Sequence, residues 1–364
     1  AQTLDPLNYR MSANVGIDDR WSAVPARERP RDRTRRRAEG LLTAISLRGR
    51  PSEHQSAIVR RPADDRPPDG AVLAFLRAHH GVDVVDLIAL GGGFWSASYA
   101  YRVGSDELVL RLADTPDGFR ADESAQAYGS ASMPVPEVLA IGQGLDRWFA
   151  ISRRHHGRFL EDVSPDEADA VAPAVIGLLR DLSAVRSTRG TPPPWRAWLL
   201  DGITDRPGLP TSGWRSAVAD RPRADRAFRE ADARIRSLLD ACPNDRRLVH
   251  GDLLHGNVLM SPAGDAVTAV FSWKCATWGD PLYDLAWCTF WGRWHDGIGA
   301  MDLWGRVVPS LTGSEAVDVA QRHHVYEVQI AASHLGWYAT LGDEDNLTWT
   351  VRQIGDLLEQ GPRR

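Results

Sequence analysis

Residues 250–259 read H-G-D-L-L-H-G-N-V-L, and residues 269–286 read A-V-F-S-W-K-C-A-T-W-G-D-P-L-Y-D-L-A. Phosphoryl transfer asks little covalent chemistry of a protein. It asks for positioning, a divalent cation and a carboxylate beside the acceptor hydroxyl. Asp252 is the natural base or orienting group for that hydroxyl. Asn257, five residues on, is placed to offer an amide oxygen to magnesium, and His250 braces the loop between them. An H-x-D triplet alone is common and means little. The ordered block of loop, short strand, turn and G-D-P-x-x-D-L-A is far harder to reach by accident. One residue breaks it. Position 272 is where a second magnesium-binding carboxylate belongs, and the chain has Ser272 there.

The chain has 364 residues, room for two lobes with sizeable cores. Its composition, 43% hydrophobic and 25% charged, is that of a globular protein. There is no apolar run of about 18 residues that would span a membrane, and no basic start followed by an apolar stretch and a small-residue cleavage site. Cys242, Cys275 and Cys288 lack metal-ligand spacing and read as reduced thiols, hence a cytoplasmic protein. Residues 1–69 carry 14 Arg against 10 Asp and Glu, so with a net charge of −5 overall, residues 70–364 carry −9. An acidic body suits a small cationic partner. Lys274 is the chain's one lysine.

Residues 1–69 have scattered Pro, an Arg run from Arg27 to Arg37 and no apolar periodicity. Such a segment cannot bury enough surface to offset its ordering entropy, so it is expected as a disordered or non-native N-terminal extension. Glu28 and Asp32 dilute its basic charge and no aromatics interleave it, which argues against a nucleic-acid partner. From residue 70 the pattern is regular. A helix runs through Arg77, and strands are expected at 85–90, 96–103 and 107–113. A helix follows over 118–128, then strands up to Ser152. After a crossing segment at 153–163 the chain turns helical. Ser164-Pro165-Asp166-Glu167 is a capping box opening an amphipathic helix. Further helices are expected at 223–241, 316–341 and 346–360.

The catalytic block resembles that of the aminoglycoside phosphotransferase and choline kinase-like family, and the likeness extends over about residues 70–360. It includes S-A-S-M-P-V-P-E-V-L-A-I-G at 130–142 and I-S-R-R at 151–154. The resemblance implies an α+β, two-lobed protein-kinase-like fold. An antiparallel sheet lobe, residues 70–152, covers the nucleotide; a helical lobe, 153–364, carries the catalytic loop and acceptor site. It implies ATP or GTP and Mg as cofactors, a monomer, and a hydroxyl of a hygromycin B-like aminoglycoside as acceptor. In the first lobe Gly92, Gly93 and Ser96 would approach the phosphates through backbone N–H groups. Arg111 stands where most kinases have the phosphate-binding lysine, with Glu123 expected as its helix partner ahead of Asp122. Asp280 and Asp284 are expected to hold the loop and turn. Asp343, Glu344 and Asp345 are candidates for the cationic substrate. Ser272 leaves three readings open: a ligand-binding homologue without turnover, a weak enzyme, or compensation by Asp280 or another carboxylate. A small-molecule kinase acting on choline, homoserine or a sugar is the alternative in substrate.

Overall fold

The protein is described by a computed structural model over residues 66–93, 96–187, 194–205, 212–244 and 247–363. The extension expected over 1–69 therefore lies, up to residue 65, outside the described residues. Helix α1 (Asp69–His80) opens the fold, with Pro68 as its N-cap residue and Asp69 in its first turn. Gly81 ends it in the left-handed conformation that a Cβ would penalise.

Five antiparallel strands follow: β1 (Val85–Gly93), β2 (Ser96–Val103), β3 (Asp106–Ala113), β4 (Val138–Gly144) and β5 (Arg147–Arg153). Their order in the sheet is β1-β2-β3-β5-β4. The two-residue period sorts the faces. Tyr99 and Tyr101, Leu108, Leu110 and Leu112, and Phe149 and Ile151 share a small core with Val72 and Leu76 of α1. The residues between them face the other way. Ser98, Arg111 and Ala150 lie side by side in register on that second face, which is how Arg111 reaches the cleft. Between β3 and β4 lies helix α2 (Asp117–Ala125). Ala121, Ala125 and Met133 from this excursion belong to the larger core of the helical region, apart from the sheet's own core.

The helical region begins after β6 (Arg158–Phe159). The capping box forms as the sequence suggests: Ser164 N–H and Oγ both donate to Glu167, at 2.9 and 2.8 Å. A short 3-10 turn separates it from α3 (Ala168–Ala184). Next come α4 (Trp195–Asp201), α5 (Trp214–Ala219) and α6 (Pro222–Leu238). Four short strands then build the catalytic segment: β7 (Arg247–Val249), β8 (Val258–Met260), β9 (Val267–Val270) and β10 (Thr277–Gly279). The pairs are antiparallel, β10 with β7 and β8 between β6 and β9. Loop 250–257 thus joins two strands of different sheets, and residue 272 lies just beyond β9. The remaining helices are α7 (Leu282–Trp291), α8 (Asp296–Ala300), α9 (Leu303–Val307), α10 (Val319–Leu341) and α11 (Glu344–Gln360). Among the described residues no helix is long and apolar enough to cross a membrane.

Helix α10 explains the stability of this region. It is buried along most of its length, yet its sequence is not uniformly apolar. Its polar groups must find partners inside. Arg322 makes a two-pronged ion pair with Asp280, Nε to Oδ2 and Nη2 to Oδ1 both at 2.8 Å. Tyr326 Oη donates to the same carboxylate at 2.6 Å and accepts from Trp195 Nε1 at 3.0 Å. Tyr283 Oη donates to Gln329 at 2.9 Å. Gly279, beside Asp280, lets the chain pass close to Trp195: a Cβ there would stand 2.1 Å from the indole. Removing one partner of a buried pair strands the other charge, at about 3–5 kcal/mol. Arg322→Ala is therefore expected to lower unfolding free energy by about that much in urea denaturation, and Asp280→Ala by a comparable amount.

Candidate active site

Loop 250–257 is held from three sides. Asp284, buried at the start of α7, accepts the backbone N–H groups of His250 and Gly251, each at 2.8 Å. Burial pushes the Asp284 carboxyl up to about 7, against the pull of those two N–H groups. His250 Nε2 donates to the carbonyl of Phe271 at 2.9 Å, so its Nδ1 lone pair is free to accept Asp252 N–H at 3.2 Å. The ring is neutral, its pKa lowered to about 4 by burial. One imidazole thus ties the loop to the residue immediately before Ser272. Gly251 makes the sharp bend at φ 75°, where an added Cβ would lie 3.0 Å from the Cys275 carbonyl. From the third side Glu161, in the segment after β6, accepts Gly256 N–H at 2.7 Å.

Asp252 sits at the centre, 1% exposed. Its backbone carbonyl accepts from Asn257 Nδ2 at 2.8 Å. That bond holds the amide nitrogen against the loop backbone. Asp252 Oδ1 meets His255 Nδ1 at 2.8 Å. His255 is neutral because burial lowers its pKa to about 3. Its backbone is left-handed, φ 76°, a conformation that costs an L-residue about 1–2 kcal/mol.

Asp122 is the side chain that links Arg111 of the sheet to this site. Asp122 on α2 accepts Arg111 Nη2 on Oδ2 at 2.6 Å and Trp273 N–H on Oδ1 at 2.8 Å. Arg111 also lies over the Phe119 ring, 5.1 Å from its centroid. The expected partner of Arg111 was Glu123, and the structure corrects this by one position. A residue step turns a helix by about 100°, which puts Asp122 in the cleft and Glu123 on the exposed face. Gly93 pairs with Ser96 across the β1–β2 hairpin, with Phe94 and Trp95 outside the described residues.

Ser272 has φ 61° and ψ 52° and precedes a 3-10 turn, Trp273–Cys275, without capping it through its hydroxyl. The donors at 257 and 272 are thus a neutral amide oxygen and a hydroxyl. Magnesium ordinarily takes one or two protein carboxylates besides phosphate and water. The set does not fit that pattern. Asp280 cannot complete it, since both its oxygens are engaged by Arg322 and Tyr326. No cluster of three or more His, Cys, Asp or Glu suited to a metal occurs among the described residues.

Two of the three acidic candidates for substrate binding have partners within the protein. Asp343 caps α11 through Asn346 N–H at 3.2 Å, and Glu344 accepts Arg221 at 2.6 and 2.8 Å. Asp345 is exposed. Trp287, Trp291 and Trp337 are buried, whereas Trp294 is 42% exposed. Glu161 and His255 escaped the sequence reading. His255 stood inside the motif, but its contact to Asp252 depends on the loop's bend.

The model of the phosphotransferase enzyme family, abbreviated APH, matches residues 86–307. The chain belongs to the phosphotransferase enzyme family. It is a phosphotransferase with an alcohol group as acceptor, built on the protein-kinase-like fold. This phosphotransferase is 29% identical over 296 residues to hygromycin-B 4-O-kinase of Escherichia coli, covering 76% of this chain and 82% of that one. Among solved structures it is similar to aminoglycoside phosphotransferase APH(4)-Ia, with TM-score 0.71 and 26% identity over 81% of this chain and all of that one. A thermostable mutant of APH(4)-Ia, in ternary complex with AMP-PNP and hygromycin B, has TM-score 0.69 and 28% identity, covering 79% of this chain and 98% of that chain.

The Arg111–Asp122 pair gives a direct test of the cleft. Asp122→Ala is expected to raise KM for the nucleotide about tenfold, equivalent to about 1.4 kcal/mol. Glu123→Ala should leave it within about twofold. Steady-state kinetics on the two variants checks the assignment.

Proposed function

We propose that this phosphotransferase uses ATP to phosphorylate a hydroxyl of a hygromycin B-like aminoglycoside, with turnover limited by Ser272. The observation that carries the reading is the loop in which Asp252 is held at the centre by His250, His255 and Asn257. Asp252 orients the acceptor hydroxyl and takes its proton as the new oxygen–phosphorus bond forms, while the bond from the γ-phosphorus to its bridging oxygen breaks and ADP leaves. Arg111, braced by Asp122, pairs with phosphate oxygens, and the backbone of Gly92, Gly93 and Ser96 approaches the phosphate chain. The acceptor class is supported by the likeness to hygromycin-B 4-O-kinase along most of both chains and by the acidic body, which favours a polycationic drug.

Ser272 supports the limit on turnover. Metal assistance is worth several kcal/mol, so a missing carboxylate ligand is expected to slow the reaction by roughly 10²–10⁴. The backbone at 272 is left-handed, a region in which Asp is more at home than Ser. A carboxylate is therefore expected to fit without rebuilding the turn. The same observation favours a second reading, a nucleotide- and drug-binding protein with almost no turnover.

The test is a mass-spectrometric assay with ATP, magnesium and hygromycin B. Phosphorylated drug is expected from the wild type and none from Asp252→Ala. Ser272→Asp is expected to raise kcat by roughly 10²–10⁴. Binding of ATP and drug, with product only from Ser272→Asp, selects the second reading. Product formed only from choline, homoserine or a free sugar reassigns the acceptor, and no product from any variant overturns the proposal.

A further inference from the structure

The side chain of His255 touches the Asp252 carboxylate, although the sequence reading gave it no role. Three observations converge on it. First, the contact is direct: Nδ1 to Oδ1 at 2.8 Å, between side chains 7% and 1% exposed. Second, the ring is walled by indoles. Trp291 meets it edge-on with centroids 4.7 Å apart at 77°, and Trp287 does so at 5.8 Å and 84°. Both tryptophans are 4% exposed and sit one turn apart on α7. A ring packed that way has little room for another rotamer. Third, the backbone of His255 is left-handed, as is that of Gly256, φ 74°. Glycine would suit position 255 better. Strain of this kind, kept at the centre of an active site, points to a function for the side chain.

A carboxylate's terminal torsion is soft and roughly two-fold, so Asp252 does not orient itself. A general base must nevertheless be aimed at its proton. We propose that His255 is the positioning residue for Asp252: its indole-locked ring donates Nδ1–H to Oδ1 and so turns Oδ2 toward the acceptor hydroxyl. This rests on the reading of Asp252 as the group that receives that hydroxyl. The contact itself requires a proton on Nδ1, because a carboxylate oxygen can only accept. His255 then takes no proton from substrate. Its contribution is angular, and loss of aim in a near-attack geometry is expected to reduce kcat by roughly 30- to 100-fold.

The test uses two arms. In the kinetic arm, with ATP and hygromycin B, His255→Phe keeps a ring between the tryptophans and removes the donor. It should lower kcat by roughly 30- to 100-fold with KM for ATP within about twofold. His255→Asn tolerates the left-handed backbone and places an amide N–H near the position of Nδ1, so it should recover kcat to within about fivefold of the wild type. A Phe variant with unchanged kcat, or an Asn variant as slow as the Phe variant, overturns the proposal. The second arm needs no acceptor. In ¹⁵N-labelled full-length protein, His255 should show the Nδ1–H tautomer, with an Nδ1 resonance that moves in Asp252→Ala. An Nε2–H tautomer, or a resonance indifferent to that substitution, also overturns it. Failure of wild-type turnover would count against the acceptor proposed above, and the tautomer would then decide the role of His255 by itself.

Discussion

The two halves of the active site are joined by one carboxylate. Asp122 holds Arg111 of the sheet with one oxygen and the backbone of Trp273 with the other. A guanidinium on a strand has no fixed relation to a loop far along the chain. Asp122 supplies that relation in two bonds. The pair is largely shielded, with the Arg side chain 20% and the Asp 7% exposed, so water competes weakly for it. Trp273 in turn packs its ring edge-on against His250, centroids 4.7 Å apart, and His250 donates to Phe271. The line from sheet to loop is therefore continuous through groups with one geometry each.

The other carboxylates near the loop are engaged by protein. Asp284 fixes two successive N–H groups, Asp280 answers Arg322 and Tyr326, and Glu161 takes Gly256. Each keeps a buried backbone or guanidinium group from lacking a partner. This division makes Ser272 consequential. A site rich in acidic residues by sequence has few carboxylates to offer a cation or a substrate, because most already serve the scaffold. The aminoglycoside-binding candidates at 343–345 follow the same logic: two of the three are committed to a helix start and to Arg221.

The local parts of this fold were legible in the sequence. Alternation fixed the strands at 96–103 and 107–113, and the Ser164–Glu167 box marked its helix start. The spacing of His250, Asp252 and Asn257 identified a loop whose members do meet. Difficulty began where a choice depended on rotation or on distant partners. Asp122 and Glu123 are chemically equivalent as candidates, and only the facing of α2 toward the cleft separates them. Composition at 343–345 reads as an acidic patch, but Arg221 lies more than a hundred residues away and cannot be seen from that composition. His255 shows the same limit, since its role depends on two tryptophans that reach it only through α7.

The excursion between β3 and β4 belongs to the first lobe by position in the chain, yet Ala121, Ala125 and Met133 are packed in the core of the second. Chain order and mechanical unit therefore differ. If the sheet rocks to admit or release a nucleotide, α2 stays with the helical body, and the sheet must slide past it. The Arg111–Asp122 pair spans the seam between that helix and the sheet. It also follows that a fragment ending near residue 153 would carry away apolar residues whose packing partners remain on the other piece. The sheet keeps a core of its own, but the excursion between β3 and β4 is completed only by the helical region.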